Sequence, residues 1–409
     1  MKNLFKYASL LFAAAMLFAS CGEKDDNPDP NGGNGGNGGN GGGTPSVPEV
    51  SGEFLLTYDK DVIQANGTDA TTFKVMLGET DVTSESTIYN EMNEPVTLNA
   101  GKFTASQSGS YKFWASYGTY STYDRSKTDN GLVTIKAIPV AVPAPAGDDT
   151  PENTSFVRRV FIAQSTGTAC KYCPGMVMIM RKVFDPEKMV LAAVHNFAAG
   201  DPAYLAQPSY GSLGASGVPS VAVDFASVFG DYTSQTGLKN VIDTRYNVSD
   251  AKVGISVNSV LKDGYLVSRV TVKAAETGTY NVGAWLLEDK IFGKQADEYG
   301  IKKQDPDHNY DYHDNCVRIA DSNWEGSYVG FPLGEIKKGE TVSKTFVMKV
   351  EEDKDKNGKA DFVVENLHMA VFVTEASDAR VGYKVNGKYY TVNNAIDCDI
   401  NTEVRFDYK

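Results

Sequence analysis

Two cysteines three positions apart place the strongest constraint on how the middle of this chain can fold. Cys170 and Cys173 follow a strand-like run at residues 157–162 and a short polar turn. Beyond them, apolar residues recur at helical spacing, at Met176, Ile179, Met180 and Val183. A C-x-x-C pair between a strand and a helix places its first thiol at the helix N-terminus, where backbone N–H groups are unpaired. The pattern therefore predicts a strand, a turn that carries both sulfurs, and a helix.

This position predicts redox chemistry at the cysteine pair. The helix dipole and the positive charge of Lys171 favour a thiolate, so Cys170 is expected to be an exposed nucleophile. Cys173, one turn further on, can then attack the mixed disulfide and release the partner. The alternative is a disulfide that only pins a loop. A bridge across so few residues removes little chain entropy, which favours the redox interpretation.

The segment 156–248 alternates between strand and helix patterns. Residues 190–194 form a continuous apolar run, as in a buried parallel strand, and another strand-like run follows at 217–223. A closing helix is predicted by the spacing of Leu238, Val241, Ile242 and Tyr246. This alternation predicts an α/β unit with a central sheet. A C-x-x-C pair in that context is typical of a thioredoxin-like domain.

The same region resembles a known family. The residues that carry the resemblance are 165–174, Val194-His195-Asn196 and Gly217-Val218-Pro219. They resemble the outer membrane protein 28 family of Bacteroidetes, over roughly residues 156–409. The resemblance implies a thioredoxin-like domain followed by a β-rich region.

In thioredoxin-like folds a cis-proline lies against the active disulfide, and the resemblance implies that role for Pro219. His195 follows a parallel strand, where ligand-facing residues collect. It is either the proton acceptor for the second thiol or an ordinary polar residue at a strand end. Two features depart from thioredoxin: Ala169 stands where thioredoxin has tryptophan, and the first strand carries no buried acid. The predicted catalytic residues are Cys170, Cys173, Pro219 and His195.

Strands are predicted on both sides of this unit. Between residues 51 and 138, short aromatic and β-branched runs alternate with turn signals, which predicts an immunoglobulin-like β-sandwich. A proline-spaced linker follows at 139–155. Residues 249–409 contain hairpin signals and predict a second β-sandwich. The predicted fold class is multidomain α+β, with a thioredoxin-like α/β domain at 156–248 between two sandwiches.

The N-terminus carries the pattern of an export signal. Lys2 and Lys6 precede an apolar stretch at residues 7–20 that is too short for a stable membrane span. Small residues then lead into Cys21, as in the lipobox of bacterial lipoproteins. Residues 1–20 are therefore predicted to be a signal peptide, and Cys21 to be acylated. The alternative is a plain secretory signal with an incidental cysteine.

Residues 21–50 are predicted to be a flexible tether, because their Asn-Gly-Gly repeats cannot bury apolar area. Acidic residues directly behind Cys21 resemble the surface-export signals of Bacteroidetes lipoproteins, which favours the outer membrane. No later segment of the sequence offers about 18 consecutive apolar residues. Lipid on Cys21 is therefore the one membrane attachment expected.

The charge of the chain restricts its partners. A formal net charge of −13 argues against the concentrated basic surface that nucleic acid requires. The expected partners are the membrane, through the lipid, and exported proteins. The sequence thus favours a cell-envelope lipoprotein that exchanges thiols and disulfides on exported proteins. The alternative is a non-catalytic surface binding or adhesion protein that keeps the thioredoxin-like domain as a scaffold.

Cys316 and Cys398 are the remaining cysteines, and two cysteines in an exported β-sandwich usually pair. They are predicted to form a structural disulfide, with a buried free pair as the alternative. No cofactor and no metal are expected. The polar loop with His308 and His313 is predicted to be solvated rather than metal-binding. Residues 353–361 imitate the start of a calcium loop, but the glutamate required at its last position is missing.

Overall fold

The computed structural model describes residues 53–127, 129–350, 362–377 and 382–409. The predicted signal peptide at 1–20, Cys21, the predicted tether at 21–50 and the calcium-like segment 353–361 lie outside these residues. In the part that is described, no helix has the length and apolar character needed to cross a membrane.

The N-terminal region contributes two sheets around one core. Its strands are β1 (Phe54–Tyr58), β2 (Val62–Gln64), β3 (Ala70–Leu77), β4 (Thr80–Asp81), β5 (Thr87–Asn90), β6 (Lys102–Thr104), β7 (Gly109–Tyr117), β8 (Tyr120–Ser121) and β9 (Val133–Ile138), with a 3₁₀ turn at Thr83–Glu85. One sheet has the order β1-β3-β4, with β6 also on β3, and the other β2-β9-β7-β5, with β8 on β7. Alternate residues of β3 face inward. There Phe73 packs against Phe113 of β7, with ring centroids 4.9 Å apart.

The middle of the chain forms the elements around the cysteine pair. They are β10 (Val160–Thr166), α1 (Cys173–Val183), β11 (Met189–His195), β12 (Ser220–Val223), β13 (Ser227–Phe229) and α2 (Gln235–Tyr246). β10 pairs in parallel with β11 and antiparallel with β12. Both faces of β10 are buried, which explains why its first four residues are all apolar.

Helix α1 forms because its apolar residues share one face. Pro174 suits its first turn, where a missing N–H costs nothing. Met176, Ile179 and Met180 are buried against the sheet, together with Leu238 of α2. Arg181 and Lys182 occupy the last turn, where positive charge complements the helix dipole.

The C-terminal region contributes most of the remaining strands. They are β14 (Val253–Lys262), β15 (Tyr265–Ala274), β16 (Gly278–Glu288), β17 (Ile291–Phe292), β18 (Tyr312–His313), β19 (Cys316–Asp321), β20 (Phe331–Ile336), β21 (Thr341–Lys349), β22 (Leu367–Ser377), β23 (Tyr383–Val385), β24 (Lys388–Asp399) and β25 (Glu403–Val404), with 3₁₀ turns at Ile301–Gln304 and Val364–Asn366. A four-stranded sheet has the order β21-β15-β14-β25, and β17 pairs with β18.

A ten-stranded sheet joins the middle of the chain to this C-terminal region. Its order is β13-β12-β10-β11-β19-β16-β22-β24-β23, with β20 also on β16. β11 and β19 are parallel neighbours, with Ala193 opposite Cys316. One face of this sheet packs on the four-stranded sheet, where Val257 and Val270 meet Val282 and Val371 in one core.

The predicted multidomain α+β fold class is wrong. Strands account for 45% of the structure and helices for 10%, and the described residues contain two α-helices. This composition does not fit a central thioredoxin-like α/β domain between an immunoglobulin-like sandwich and a second sandwich. Residues on both sides of position 248 share the ten-stranded sheet, and Val50–Lys409 forms one unit. Periodicity identified the local elements, but it carries no information about which distant strand covers the free edge of β11.

A buried ion pair fixes the position of β10 against α2. Arg158 Nη2 lies 2.7 Å from Asp224 Oδ2, with side chains 4% and 0% exposed. The same guanidinium donates to the carbonyl of Arg245 in α2 at 3.1 Å. The other carboxylate oxygen of Asp224 accepts the N–H of Phe161 at 2.9 Å. A charge buried this deeply is tolerated only while it is paired and hydrogen-bonded.

Replacing Asp224 with alanine is expected to lower the free energy of unfolding by about 3–5 kcal/mol, because Arg158 keeps its charge in the interior without a partner. Urea denaturation of Asp224→Ala measures the change. The matched control is Asp243→Ala, which breaks the exposed ion pair with Lys239 on α2. That control should cost less than about 0.5 kcal/mol. Equal losses in the two variants would contradict the assigned role of the buried pair.

Candidate functional site

Cys170 and Cys173 form a disulfide at the start of α1. Their Cα atoms are 5.4 Å apart. The N–H of Cys173 donates to the carbonyl oxygen of Cys170 at 3.3 Å, which closes the turn between them. Cys173 is the first residue of the helix. The predicted order of strand, sulfur-bearing turn and helix is therefore present.

The disulfide is buried, although Cys170 was expected to be exposed. Cys170 is 3% exposed and Cys173 is 0% exposed. Residues 293–301, here called the cover segment, lie against the turn that carries the sulfurs. Gln295 Nε2 donates to the carbonyl oxygens of Cys170 at 2.8 Å and Thr168 at 3.1 Å. The N–H of Ala296 donates to the same Thr168 oxygen at 2.8 Å.

The cover segment also binds the two residues between the cysteines. Lys171 Nζ lies 2.5 Å from Glu298 Oε2. The rings of Tyr172 and Tyr299 stack with centroids 4.8 Å apart, and their hydroxyl oxygens are 2.8 Å apart. The hydrogen bond to Glu298 raises the pKa of Lys171. The charge of Lys171 is therefore engaged by a carboxylate and does not stand free beside the sulfurs, as the sequence interpretation assumed.

Pro219 and His195 lie at the sheet end where the cysteine turn begins. Thr166, the last residue of β10, pairs with His195, the last residue of β11. Ser165 pairs with Ser220, so Pro219 sits directly before the start of β12 at the same end. The Val218–Pro219 peptide bond is cis. His195 and Pro219 therefore lie at the same end of the sheet as the cysteine turn.

The contacts of His195 differ from those expected of a proton acceptor for Cys173. Its Nδ1 lies 2.9 Å from Asp201 Oδ2, and its Nε2 lies 3.5 Å from the sulfur of Cys316. Both ring nitrogens therefore face other partners. The imidazole is a buried member of a thiol–imidazole–carboxylate chain, an arrangement that the sequence did not predict.

Asp201 connects the imidazole of His195 to the cysteine turn. Its Oδ2 also accepts the N–H of Thr168 at 2.6 Å, and its Oδ1 accepts the N–H of Ala203 at 2.9 Å. Burial by itself would raise the pKa of Asp201, but the hydrogen bonds from His195 and these backbone groups lower it to about 2. Asp201 is thus ionised at neutral pH and holds both His195 and the turn before Cys170.

Cys316 is not an activated nucleophile. Burial raises the pKa of its thiol well above the usual value, and the nearby charge of Asp201 acts in the same direction. A thiol rather than a thiolate therefore faces His195 at neutral pH. Because the carboxylate of Asp201 only accepts, the His195 nitrogen that faces it, Nδ1, carries a proton.

The predicted Cys316–Cys398 disulfide is wrong, since both cysteines are free and buried. Cys316 lies on β19 and Cys398 on β24, and two strands separate them in the sheet. At about 4.8 Å between neighbouring strands, the separation is on the order of 14 Å. A disulfide needs Cα atoms within about 7 Å. The alternative of a buried free pair describes the cysteines better, although they do not touch.

The polar loop with His308 and His313 carries no metal-ligand arrangement. Within the described ranges, no group of three or more His, Cys, Asp and Glu side chains is placed to hold a metal ion. Tyr310 instead donates its hydroxyl to Asp305 at 3.0 Å, and His313 Nε2 donates to the carbonyl of Gly293 at 2.9 Å.

Two residues of the site were not predicted from the sequence. Gln295 is far from the cysteines along the chain, and no motif marks a glutamine that binds backbone carbonyls. Asp201 is only six positions from His195, and an acid that close to a strand-end histidine was the one sequence signal that pointed to it.

Comparison with known proteins adds a distant likeness. No family model and no curated protein matches the chain. A crystal structure of a protein from Agrobacterium tumefaciens is 13% identical, with a TM-score of 0.37. The likeness covers 61% of this chain and 97% of that one.

Replacing Asp201 with asparagine is expected to lower stability at pH 7 by about 2 kcal/mol, because the lowered pKa stabilises the folded form. In the wild type this contribution is present above about pH 4. It is lost as pH falls toward about 2, where the folded carboxylate takes up its proton. Denaturant titrations between pH 2 and 7 measure both effects. The control Asp263→Asn, in the exposed turn between β14 and β15, should leave the pH profile unchanged. An Asp201→Asn profile parallel to the wild type would refute the assignment.

Proposed function

We propose that this chain is a lipid-anchored protein of the bacterial cell envelope whose Cys170–Cys173 disulfide oxidises thiols of exported proteins. The observation that carries the proposal is a disulfide at the start of a helix, between residues three positions apart. Such a short bridge has little value as a staple, because it closes too small a loop to restrict the unfolded chain much. Membrane attachment through Cys21 at the outer membrane, and the resemblance to the outer membrane protein 28 family, stay predictions.

The proposed reaction is a two-step exchange. A substrate thiolate attacks the sulfur of Cys170, the bond to Cys173 breaks, and Cys173 leaves as a thiolate. A second substrate thiol then attacks the mixed disulfide and frees Cys170. The substrate loses two electrons and becomes a disulfide, and the protein gains them as two thiols. The α1 N-terminus stabilises the negative charge that develops on the leaving sulfur.

The cover segment controls this reaction. An attacking thiolate cannot reach a sulfur of a residue that is 3% exposed unless neighbouring groups move. The hydrogen bonds of Gln295 to the turn, the Lys171–Glu298 ion pair and the stacked tyrosines all hold the segment closed. Exchange therefore proceeds from an opened form, and its rate depends on how often the segment lifts.

The burial of both sulfurs favours a second candidate function, a non-catalytic surface binding protein in which the disulfide only supports the turn. The reduction potential separates the two. A structural disulfide has a potential below about −300 mV, whereas exchange proteins lie between about −270 and −120 mV.

Equilibration of the chain in glutathione buffers is expected to give a potential above about −270 mV. In addition, one equivalent of a reduced dithiol peptide should be oxidised per chain, as followed by loss of free thiol. The double variant Cys170→Ser/Cys173→Ser should lose this activity. The control Cys398→Ala, whose thiol is buried in the C-terminal core, should retain it. A potential below about −300 mV, or oxidation by the double variant, would rule out the exchange function.

Replacing Gln295 with alanine is expected to speed reduction of the disulfide about tenfold. The variant loses two hydrogen bonds that hold the cover segment, each contributing about 0.5–1.5 kcal/mol, and the opened form becomes more populated. Stopped-flow reduction with dithiothreitol measures the rate. The matched control is Gln235→Ala at the exposed start of α2, for which no change is expected. An unchanged rate in Gln295→Ala would show that this residue does not limit access.

A further inference from the structure

A lysine, a glutamate and an asparagine from three distant parts of the chain meet beside the ten-stranded sheet. Lys252 directly precedes β14, Glu375 lies on β22 and Asn393 lies on β24. Lys252 Nζ is 2.9 Å from Glu375 Oε2. Asn393 Nδ2 donates to the other carboxylate oxygen, Glu375 Oε1, at 3.4 Å. One carboxylate therefore contacts a primary amine on one side and a carboxamide on the other.

A β-bulge in β24 gives Asn393 its position. The pairing register between β22 and β24 shifts between Val373 and Thr374, and Asn393 is the extra residue that pairs with neither. A bulge changes the direction in which the side chain of the extra residue points. Asn393 is 2% exposed, so its carboxamide meets the lysine and the glutamate in the interior.

The carbonyl end of the same carboxamide is held by the backbone of the lysine. The N–H of Lys252 donates to Asn393 Oδ1 at 2.8 Å. Because an N–H group only donates, this contact identifies the oxygen end of the side chain. The carbonyl oxygen of Lys252 accepts the N–H of Ala275 at 2.7 Å, which fixes the backbone on its other side. A fixed donor of this kind stabilises negative charge that develops on a carbonyl oxygen.

These contacts provide the groups that amide exchange between two side chains requires. The amine is a nucleophile once it has lost a proton, and the carboxylate that touches it can accept that proton. The side chains of Lys252 and Glu375 are 31% and 22% exposed, so both are partly shielded from water. The flexible four-carbon stem of a lysine allows Nζ to move from the carboxylate to the neighbouring carbonyl carbon.

We propose that Lys252 and Asn393 form an intramolecular amide bond, an isopeptide bond, with Glu375 as the catalytic proton carrier. Glu375 takes a proton from Nζ, and the freed amine attacks Cγ of Asn393. The negative charge that develops on Oδ1 is stabilised by the backbone N–H of Lys252. Glu375 then returns protons to Nδ2, and the bond between Cγ and Nδ2 breaks.

The reaction balances without an oxidant, a reductant or a further reactant. One C–N bond forms and one breaks. Of the three protons on Nζ, one stays on the new amide nitrogen. The other two pass through Glu375 to the leaving nitrogen, which departs as ammonium, and the carboxylate is regenerated.

The bond would hold the chain in a way that the disulfide does not. Lys252 and Asn393 are 141 positions apart, whereas Cys170 and Cys173 are 3 apart. A cross-link restricts the unfolded chain more when the loop that it closes is longer. An amide bond is also insensitive to thiols. The cross-link is thus independent of the proposed thiol exchange and would join the start of β14 to β24 in either redox state.

Peptide mapping of the full chain by mass spectrometry, after reduction and denaturation, tests the proposal. The wild type is expected to yield one branched tryptic peptide that contains both Lys252 and Asn393. Its mass should be lower than that of the two separate peptides together by one ammonia. Trypsin should not cleave after Lys252, because the amide removes the positive charge.

Two variants should yield separate peptides in place of the branched one. Lys252→Arg keeps the positive charge beside Glu375, but a guanidinium stays protonated and does not attack. Glu375→Gln keeps the shape of the side chain and removes the proton carrier. The matched control is Glu276→Gln, since Glu276 Oε2 lies 4.0 Å from Lys252 Nζ, too far for a hydrogen bond. This control should retain the branched peptide.

The wild-type measurement decides the proposal even where a variant fails to fold. Two unlinked peptides from the wild type would overturn it. Loss of ammonia confined to the peptide of Asn393, as in ring closure onto its own backbone, would also overturn it. A branched peptide in Glu375→Gln would overturn the role assigned to that carboxylate.

Discussion

The parallel pairing of β11 with β19 determines how the site is assembled. Through it, strands from the C-terminal region continue the sheet that begins with β10 and β11. The connection from β16 to β19 contains the cover segment, so docking β19 beside β11 brings Gln295 onto the cysteine turn. The same pairing sets Cys316 opposite Ala193 and thus within reach of His195. None of these contacts can form within residues 156–248 alone, because one of the two residues in each contact belongs to the C-terminal region.

Burial by itself raises the pKa of both Asp201 and Cys316, and hydrogen bonds decide the outcome. Asp201 remains a carboxylate in the interior because His195 and two backbone N–H groups donate to it. Cys316 has no comparable set of donors and stays a thiol. The positive charge of Lys171 is paired with the carboxylate of Glu298 at the surface. While the cover segment is closed, neither a thiolate nor a free positive charge stands ready beside the disulfide. The exchange proposed for the disulfide therefore depends mainly on opening of the cover segment.

Local patterns in the sequence predicted local structure well. Apolar spacing located α1 and α2, a strand-like run located β10 and a continuous apolar run located β11, because each depends on neighbours within a few residues. The fold class and the Cys316–Cys398 pairing were wrong for a common physical reason. Both depend on which strands lie side by side, and strand order is decided by tertiary packing between segments far apart in the chain. Gln295 was missed on the same ground, since its partners lie more than a hundred residues away.

The separation of Cys316 and Cys398 has a consequence for how the chain behaves in an oxidising medium. The described residues contain four cysteines, and four can pair completely in three ways. With the sheet intact, two strands stand between these two thiols, and oxidation stops after a single bridge. The intact sheet thus keeps the thiols of Cys316 and Cys398 from forming a disulfide. Their reaction with a thiol reagent would report that the strands had separated, which gives the molecule a built-in indicator of its own unfolding.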